Sequence, residues 1–383
     1  MKNPLILILL GVVTLTSQGQ NASVVSAYNY LQDGDYATMA KEKTWRYRGD
    51  IYRVIALGDD ATLKSAYPEA MDRAIESYLK ATELDTKGAN KDDNMRALGA
   101  LQAASLNAGN DAFAAKDYDG AVRLYGNSKR IAAAFGQVDS LAAFNSALAQ
   151  ETKGDHAAAV ASYRECINMG YKKVDIYRFM ASQQKKMGDL DAAITSIREG
   201  RMQFPASKTL VQDELAFLLE TGRDAEAETI VKVAIEQDPK NPLFYSVLGS
   251  LYDAKANPKS GETPPQAEVM GYYDQAEQAY RKAIENDPNF FDAIFNIGVL
   301  YNNRAAIAYE EASAIKDNAK YAVAKAKADE IYLKAMPFFE KAHELRPDDL
   351  QTIQQLTKLY AKTNDKAKYD PMRAKLEALT GTK

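Results

Sequence analysis

The sequence predicts an all-α solenoid built from stacked helix pairs, and three observations carry that prediction. Three segments end in nearly the same phrase: QAYRKAIENDPNF at 278–290, PFFEKAHELRPDD at 337–349 and IVKVAIEQDPKNP at 230–242. Ala159, Ala193 and Ala227 follow one another at 34-residue intervals, and a fixed period of that length marks an architecture of repeated helical units. Finally, Lys153–Gly154–Asp155, Met187–Gly188–Asp189 and Thr221–Gly222–Arg223 each carry the glycine that ends one helix and the residues that open the next.

The N-terminus comes first in chain order. Lys2 precedes an apolar run from Leu5 to Val13, followed by the small and polar residues Thr14 to Gln20. A short basic start, a brief apolar core and a small-residue exit have the pattern of a secretory signal peptide over residues 1–19, cleaved near Gly19. The apolar run is about half of the roughly 20 residues that a spanning helix needs. The expected location is therefore export to the periplasm, with secretion or outer-membrane association as variants and no membrane span. Cys166 is the one cysteine, so no lipid-bearing cysteine follows the leader. Residues 20–42 are expected to form a helix packed on the first pair.

The repeats occupy 43–349, about seven of them. Tyr245-x2-Leu248-Gly249-x2-Tyr252 and Ile294-x2-Ile297-Gly298-x2-Tyr301 begin two units, and Trp45-x3-Gly49-x2-Tyr52 begins the first. The second half of each unit shows a small residue and, four later, a large one: Ala74 and Tyr78, Ala121 and Tyr125, Ala159 and Tyr163, Ala276 and Tyr280, Ala335 and Phe339. Pro205, Pro239, Pro288 and Pro347 close the units, each five residues beyond a small residue. Small residues fit where paired helices approach closely, and the aromatic and aliphatic frame positions fill the space between neighbours.

Three insertions interrupt the period, at 57–69, 256–271 and 302–334. The first lengthens a turn, with Gly58, Asp59 and Asp60 marking a helix end. Pro258, Gly261, Pro264 and Pro265 make the second an exposed irregular loop. The third is rich in Ala, Lys and Glu and reads as two overlong helices projecting from the stack, with a tip near Asp317–Asn318; Pro337 is expected to kink the second of them. Residues 350–383 form a final helix pair, loaded with Lys358, Lys362, Lys366 and Lys368, suited to a polar cap.

These residues resemble the tetratricopeptide repeat, whose pattern is W-x2-L-G-x2-Y, then A-x3-F, then a late Pro. The resemblance implies antiparallel pairs in a right-handed superhelix and a role in protein–protein interaction through the concave groove. Carried over position by position, the groove residues include Lys43, Arg46, Asp50 and Arg53, then Asn107, Asn110 and Asn145, then Arg178, Ser182, Lys185 and Lys186. Further along come Ser250, Asp253, Asn296, Asn302 and Asn303. An Asn side chain can both donate to and accept from an extended peptide backbone. The five-residue carboxylate clamp of chaperone-tail adaptors falls on Leu106, Asn110, Asn145, Asp175 and Phe179; both asparagines match, and the three cations are missing.

Composition narrows the chemistry. Lys and Arg total 48 against 52 Asp and Glu, interleaved along the chain, which is not the basic footprint of a nucleic-acid binder. Two histidines, His156 and His343, lie 187 residues apart, so no metal site is expected. Cys166 falls at a small-residue frame position and is expected to be a buried packing thiol. No phosphate loop, zinc-protease motif or nucleophile elbow occurs, so neither enzymatic activity nor a cofactor is expected. The expectation is a protein-binding scaffold of the bacterial cell envelope, with the 302–334 arm as a second contact candidate. The alternative is a receptor for a glycan or peptidoglycan fragment, using Tyr47, Phe144, Phe179 and Phe295 as stacking platforms.

Overall fold

The computed structural model describes residues 40–171, 173–258 and 264–381. The expected export signal, and all of the expected 20–42 helix except Ala40 to Glu42, lie outside these residues. Every regular element among the described residues is helical. The chain divides into two compact units, Met1–Leu210 and Val211–Lys383.

In the first unit, α1 (Glu42–Leu57), the short α2 (Ala61–Ala66) and α3 (Ala70–Leu84) make the first pair with its insertion. Then come α4 (Lys91–Ala114) with α5 (Tyr118–Ala134), α6 (Ser140–Lys153) with α7 (His156–Asn168), and α8 (Val174–Lys186) with α9 (Leu190–Gln203). From α3 onward each helix packs against the next in sequence, as antiparallel helices joined by short turns do. The second unit follows from α10 (Lys208–Glu220), in whose first turn the boundary falls. It continues with α11 (Asp224–Gln237), α12 (Pro242–Ala256), α13 (Gln266–Asn286), α14 (Phe291–Ser313), α15 (Asn318–Leu333), α16 (Met336–Leu345), α17 (Leu350–Thr363) and α18 (Lys366–Thr380).

Close packing within a pair is set by one small-to-large contact. A Cβ at Gly109 would lie 2.6 Å from the Tyr125 ring, at Gly249 2.6 Å from Tyr280, at Gly298 2.8 Å from Phe339 and at Gly49 3.0 Å from Tyr78. Any side chain there would collide with the ring. At the matching positions of the other pairs the sizes trade: Ala147 with Tyr163, Ala181 with Ile197, Leu215 with Val231. The first helix gains bulk as the second loses it, which keeps the filled volume near constant.

The spacing between these partners also locates the insertions. It is 16 residues in the uninterrupted pairs, but 29, 31 and 41 for Gly49–Tyr78, Gly249–Tyr280 and Gly298–Phe339. All the extra chain therefore lies between the first and second helix of a pair. In the first insertion Asp60 accepts from the amides of Thr62 and Leu63, which caps α2, while Leu63 and Tyr67 pack on the core of α1 and α3.

The second insertion departs from the irregular loop expected over 256–271. Gln266 to Gly271 form the first turns of α13; Val269 there is buried, and Met270 packs beside it. Pro265 supplies the N-cap, so the prolines mark a helix start instead of a loop extending to Gly271. Gln266 hydrogen-bonds Glu311 near the end of α14, so two of the insertions support each other.

In the third insertion α14 ends at Ser313 and Asp317 caps α15 through the Lys320 amide, so the tip lies at 314–317. The arm is tied back at its base. Ala328 is buried, Ile331 and Tyr332 pack on the core, and the Asp329 carboxylate accepts from Tyr309 at 2.5 Å and pairs with Lys362 of α17 at 2.8 Å. The expected kink at Pro337 is a full break: α15 ends at Leu333 and α16 starts at Met336, with Pro337 in its first turn. A proline ring excludes the carbonyl four residues back, which is that of Leu333.

The turns between helices follow a compact rule. Gly154 (φ 87°) and Gly188 (φ 80°) take the left-handed conformation after α6 and α8. Asp155 and Asp189 then accept from the amides of Ala158 and Ala192 to cap the next helix. Lys116–Asp117 and Asn364–Asp365 make the same turn with a side chain at the left-handed position.

Candidate functional site

The groove residues expected from the sequence lie on the first helices of the pairs, and most already hold part of their own unit. Asp50 accepts from the Tyr78 hydroxyl at 2.6 Å, and Arg53 Nε donates to the same hydroxyl at 3.0 Å. Asn110 Oδ1 accepts from the Tyr125 hydroxyl at 2.9 Å. Ser250 and Tyr280 bring their hydroxyls within 3.2 Å, and Asn296 also hydrogen-bonds Tyr280. In each case the first-named polar residue directly follows the glycine that receives the ring. Where the ring is Phe339, the residue after Gly298 is Val299. The polar residue is thus a partner for a buried phenol, a group too costly to leave unpaired. Burial raises the pKa of Tyr78, Tyr163 and Tyr280; Asp50 and Glu151 raise the first two further.

This role was readable in the pairing of a polar residue after the glycine with a later Tyr, and of Val with Phe. Sequence reasoning missed it because the groove assignment treats each position alone.

The other expected residues divide between the two units. In the first unit Asn107 is exposed, and Asn145 Nδ2 reaches Asn110 Oδ1 at 3.5 Å, the outer limit of a hydrogen bond. Arg178 lies 3.7 Å from Asp175, and Lys185 is exposed in the last turn of α8. Arg46 lies 3.4 Å from Glu42, with its guanidinium near the Tyr47 ring. In the second unit Asn302 Nδ2 donates to Gln355 at 3.0 Å while its Oδ1 is buried without a partner. Asn303 hydrogen-bonds Asp253, whose pKa is raised by burial.

Beside Asn145 stands an aromatic cluster that the groove positions only partly include. Phe144 stacks on Tyr171 at 5.5 Å and lies 6.4 Å from Phe179, which is 5.9 Å from Tyr163. Lys173 sits over the Tyr171 ring at 5.0 Å. Phe144, Tyr171 and Phe179 are half-buried, and Leu141 nearby in α6 is 55% exposed. Together α4, α6 and α8 present amides, ring edges and the cations of Arg178 and Lys185. In the second unit Phe295 is stacked on Phe291 and edge-on to Phe339.

No arrangement among the described residues performs covalent chemistry. Burial pushes the Cys166 thiol up to about 11, away from the reactive thiolate. His156 Nδ1 pairs with Gln183 at 2.9 Å; His343 has its pKa lowered by burial and by Lys375. Among the described residues there is no group of three or more His, Cys, Asp or Glu placed to hold a metal, and no helix long and apolar enough to cross a membrane.

Residues 142–169 and 270–290 match the family model of the tetratricopeptide repeat. No curated protein matches the chain. Among solved structures, the chain is similar to residues 41–end of MamA from Desulfovibrio magneticus RS-1, with 15% identity, 55% of this chain and 96% of that one covered, and a TM-score of 0.38. It is also similar to TTC0263, a thermophilic repeat protein of Thermus thermophilus (17% identity, 54% and 91% covered, TM-score 0.38). A repeat protein of Bacteroides fragilis NCTC 9343 matches at 21% identity over 68% of this chain and 98% of that one, TM-score 0.33.

Proposed function

We propose, from an all-helical repeat chain with tetratricopeptide segments, that this protein is a non-enzymatic scaffold holding an extended segment of a partner protein. It acts in the bacterial cell envelope, after export and loss of its leader near Gly19. The observation that supports this most is the face formed by α4, α6 and α8. There Asn110 and Asn145 stand one repeat apart beside the half-buried Phe144, Tyr171 and Phe179. Amides one period apart suit a repeating backbone, and half-buried rings suit an apolar anchor. The exposed tip of the 302–334 insertion is a second contact surface in this reading. A glycan is the weaker ligand, because stacking on a sugar needs an open ring face and Phe144 and Phe295 are each stacked on a neighbouring ring.

The test is a pull-down from envelope extract of the native host, using the wild-type chain and the variant Phe144→Ala/Asn145→Ala. A specific protein retained by the first and lost by the second, at equal helicity, is expected. Equal recovery by both would remove the contact from this face. The N-terminal residue of the chain recovered from the periplasmic fraction checks the location: export predicts a start near Gln20, whereas an intact Met1 in the cytoplasmic fraction contradicts it.

A further inference from the structure

The outer groove between the second helices α5 and α7 of the first unit holds a feature that the scaffold reading does not use. A cavity of about 590 Å³ lies there, lined by Arg123, Gly126, Asn127, Lys129, Arg130, Ala133, Glu165 and Met169. Its size is that of a small-molecule site. We infer that this cavity binds a small amphiphilic oxyanion, a carboxylate or phosphate head on a short apolar body, with the head seated over Gly126 between Arg123 and Arg130.

The argument begins with Gly126. It lies within α5, where a glycine costs roughly 0.5–1 kcal/mol relative to alanine. The fold does not require it: a Cβ placed there would meet no heavy atom within 4 Å, in contrast to Gly109, whose Cβ would strike Tyr125. What the missing side chain creates is a dent in the cavity floor. Arg123 precedes Gly126 by three residues and Arg130 follows it by four, the two spacings that place residues side by side on a helix surface. Both guanidinium groups therefore flank the dent within reach of an ion above it.

Hydrogen-bonding capacity points to the same ligand class. An arginine carries five N–H donors and a lysine three. Arg123 spends one on Asp72 of α3 at 2.5 Å, and Lys129 spends one on Glu165 at 2.6 Å. Asn127, itself buried, donates to Asp72. Arg130 is exposed and makes no ion pair among the described residues. The rim is thus rich in unused donors, and its one carboxylate, Glu165, is engaged by Lys129. Ala133 and Met169 supply an apolar patch for the ligand's body. The planar fork of an arginine suits either a carboxylate or a phosphate head.

Isothermal titration of the purified chain with octanoate, octyl phosphate and inorganic phosphate at low salt separates the possibilities. Binding of octanoate or octyl phosphate, and at least 10-fold weaker binding of inorganic phosphate, is expected; which octyl compound binds tighter identifies the head. Gly126→Leu should weaken that binding at least 10-fold without lowering Tm, because the new side chain enters the dent and displaces nothing. Arg130→Gln should weaken it similarly, and Arg130→Lys less. Failure of both octyl compounds to bind at 1 mM, or equal binding by Gly126→Leu and wild type, would overturn the site. Equal affinity for inorganic phosphate, or equal binding of octyltrimethylammonium, would overturn the ligand class.

Discussion

The pair α4/α5 and the pair α14/α16 share one frame and solve its polar problem in opposite ways. In the first, Gly109 receives Tyr125 and the next residue, Asn110, accepts the phenol's hydrogen bond. In the second, Gly298 receives Phe339, and the next residue, Val299, is apolar and packs on the core. The contact that builds the pair is the same; the hydroxyl and its acceptor are added or omitted together. A polar residue on the first helix is therefore weak evidence of a ligand wherever the second helix carries Tyr, and Asn107 and Asn145, which accept from no frame tyrosine, are better candidates than Asn110.

The most far-reaching consequence is global and pH-dependent. The pKa values of Tyr78, Tyr163, Tyr280 and Tyr360 are raised, first by burial. In the unfolded chain these phenols titrate near 10. Above that pH the unfolded state sheds protons that the folded state retains, so stability is full below pH 10 and falls as pH rises further. Circular dichroism and phenolate absorbance followed together should show these tyrosines ionising only as the helices melt. Full ionisation near pH 10 with helicity intact would contradict the assigned burial.

Removing the ring has the next largest effect, and here the two pairs should agree. Tyr125→Ala and Phe339→Ala are each expected to cost about 3–5 kcal/mol in urea unfolding, the usual loss for a fully buried aromatic. Gly109→Ala and Gly298→Ala add a methyl where none fits and should each cost about 1–3 kcal/mol. Breaking the agreement requires the hydroxyl. Phe339→Tyr places a phenol beside Val299 and should cost about 1–3 kcal/mol, the desolvation of an unpaired polar group. Adding Val299→Asn should recover most of that loss. If the double variant is no more stable than Phe339→Tyr alone, the coupling seen between Tyr125 and Asn110 does not govern this position.

The fold was legible because its packing is written as spacing. The alanines 34 residues apart and the glycines matched to rings specify which faces meet, and the Gly–Asp turns specify where helices stop and start. What escaped was information carried by interactions between insertions. Pro264 and Pro265 suggest a loop until Val269 is seen to be buried and Gln266 bonded to Glu311. The arm suggests a free projection until Asp329 is found paired with Lys362. At the candidate site, helix position identified the right face, but the aromatic cluster was only half visible, since Tyr171 comes from the turn before α8 and belongs to no repeat position.

The smallest effect concerns the turns and sharpens the same contrast between equivalent positions. Gly154 and Lys116 occupy matching places, each followed by an aspartate that caps the next helix, and both take positive φ, 87° and 64°. A side chain in the left-handed region costs roughly 1–2 kcal/mol, through crowding of its Cβ against the following carbonyl. Glycine avoids that crowding but adds about 0.5–1 kcal/mol of unfolded-state entropy. Lys116→Gly should therefore stabilise the chain by about 0.5–1 kcal/mol, and Gly154→Ala should destabilise it by a similar amount, both read as shifts of the urea midpoint at constant slope. The Asp117 side chain caps α5 through the Gly120 amide in either case, so the two changes isolate the backbone term. A destabilised Lys116→Gly would mean that the lysine side chain makes a contribution larger than the strain of its backbone.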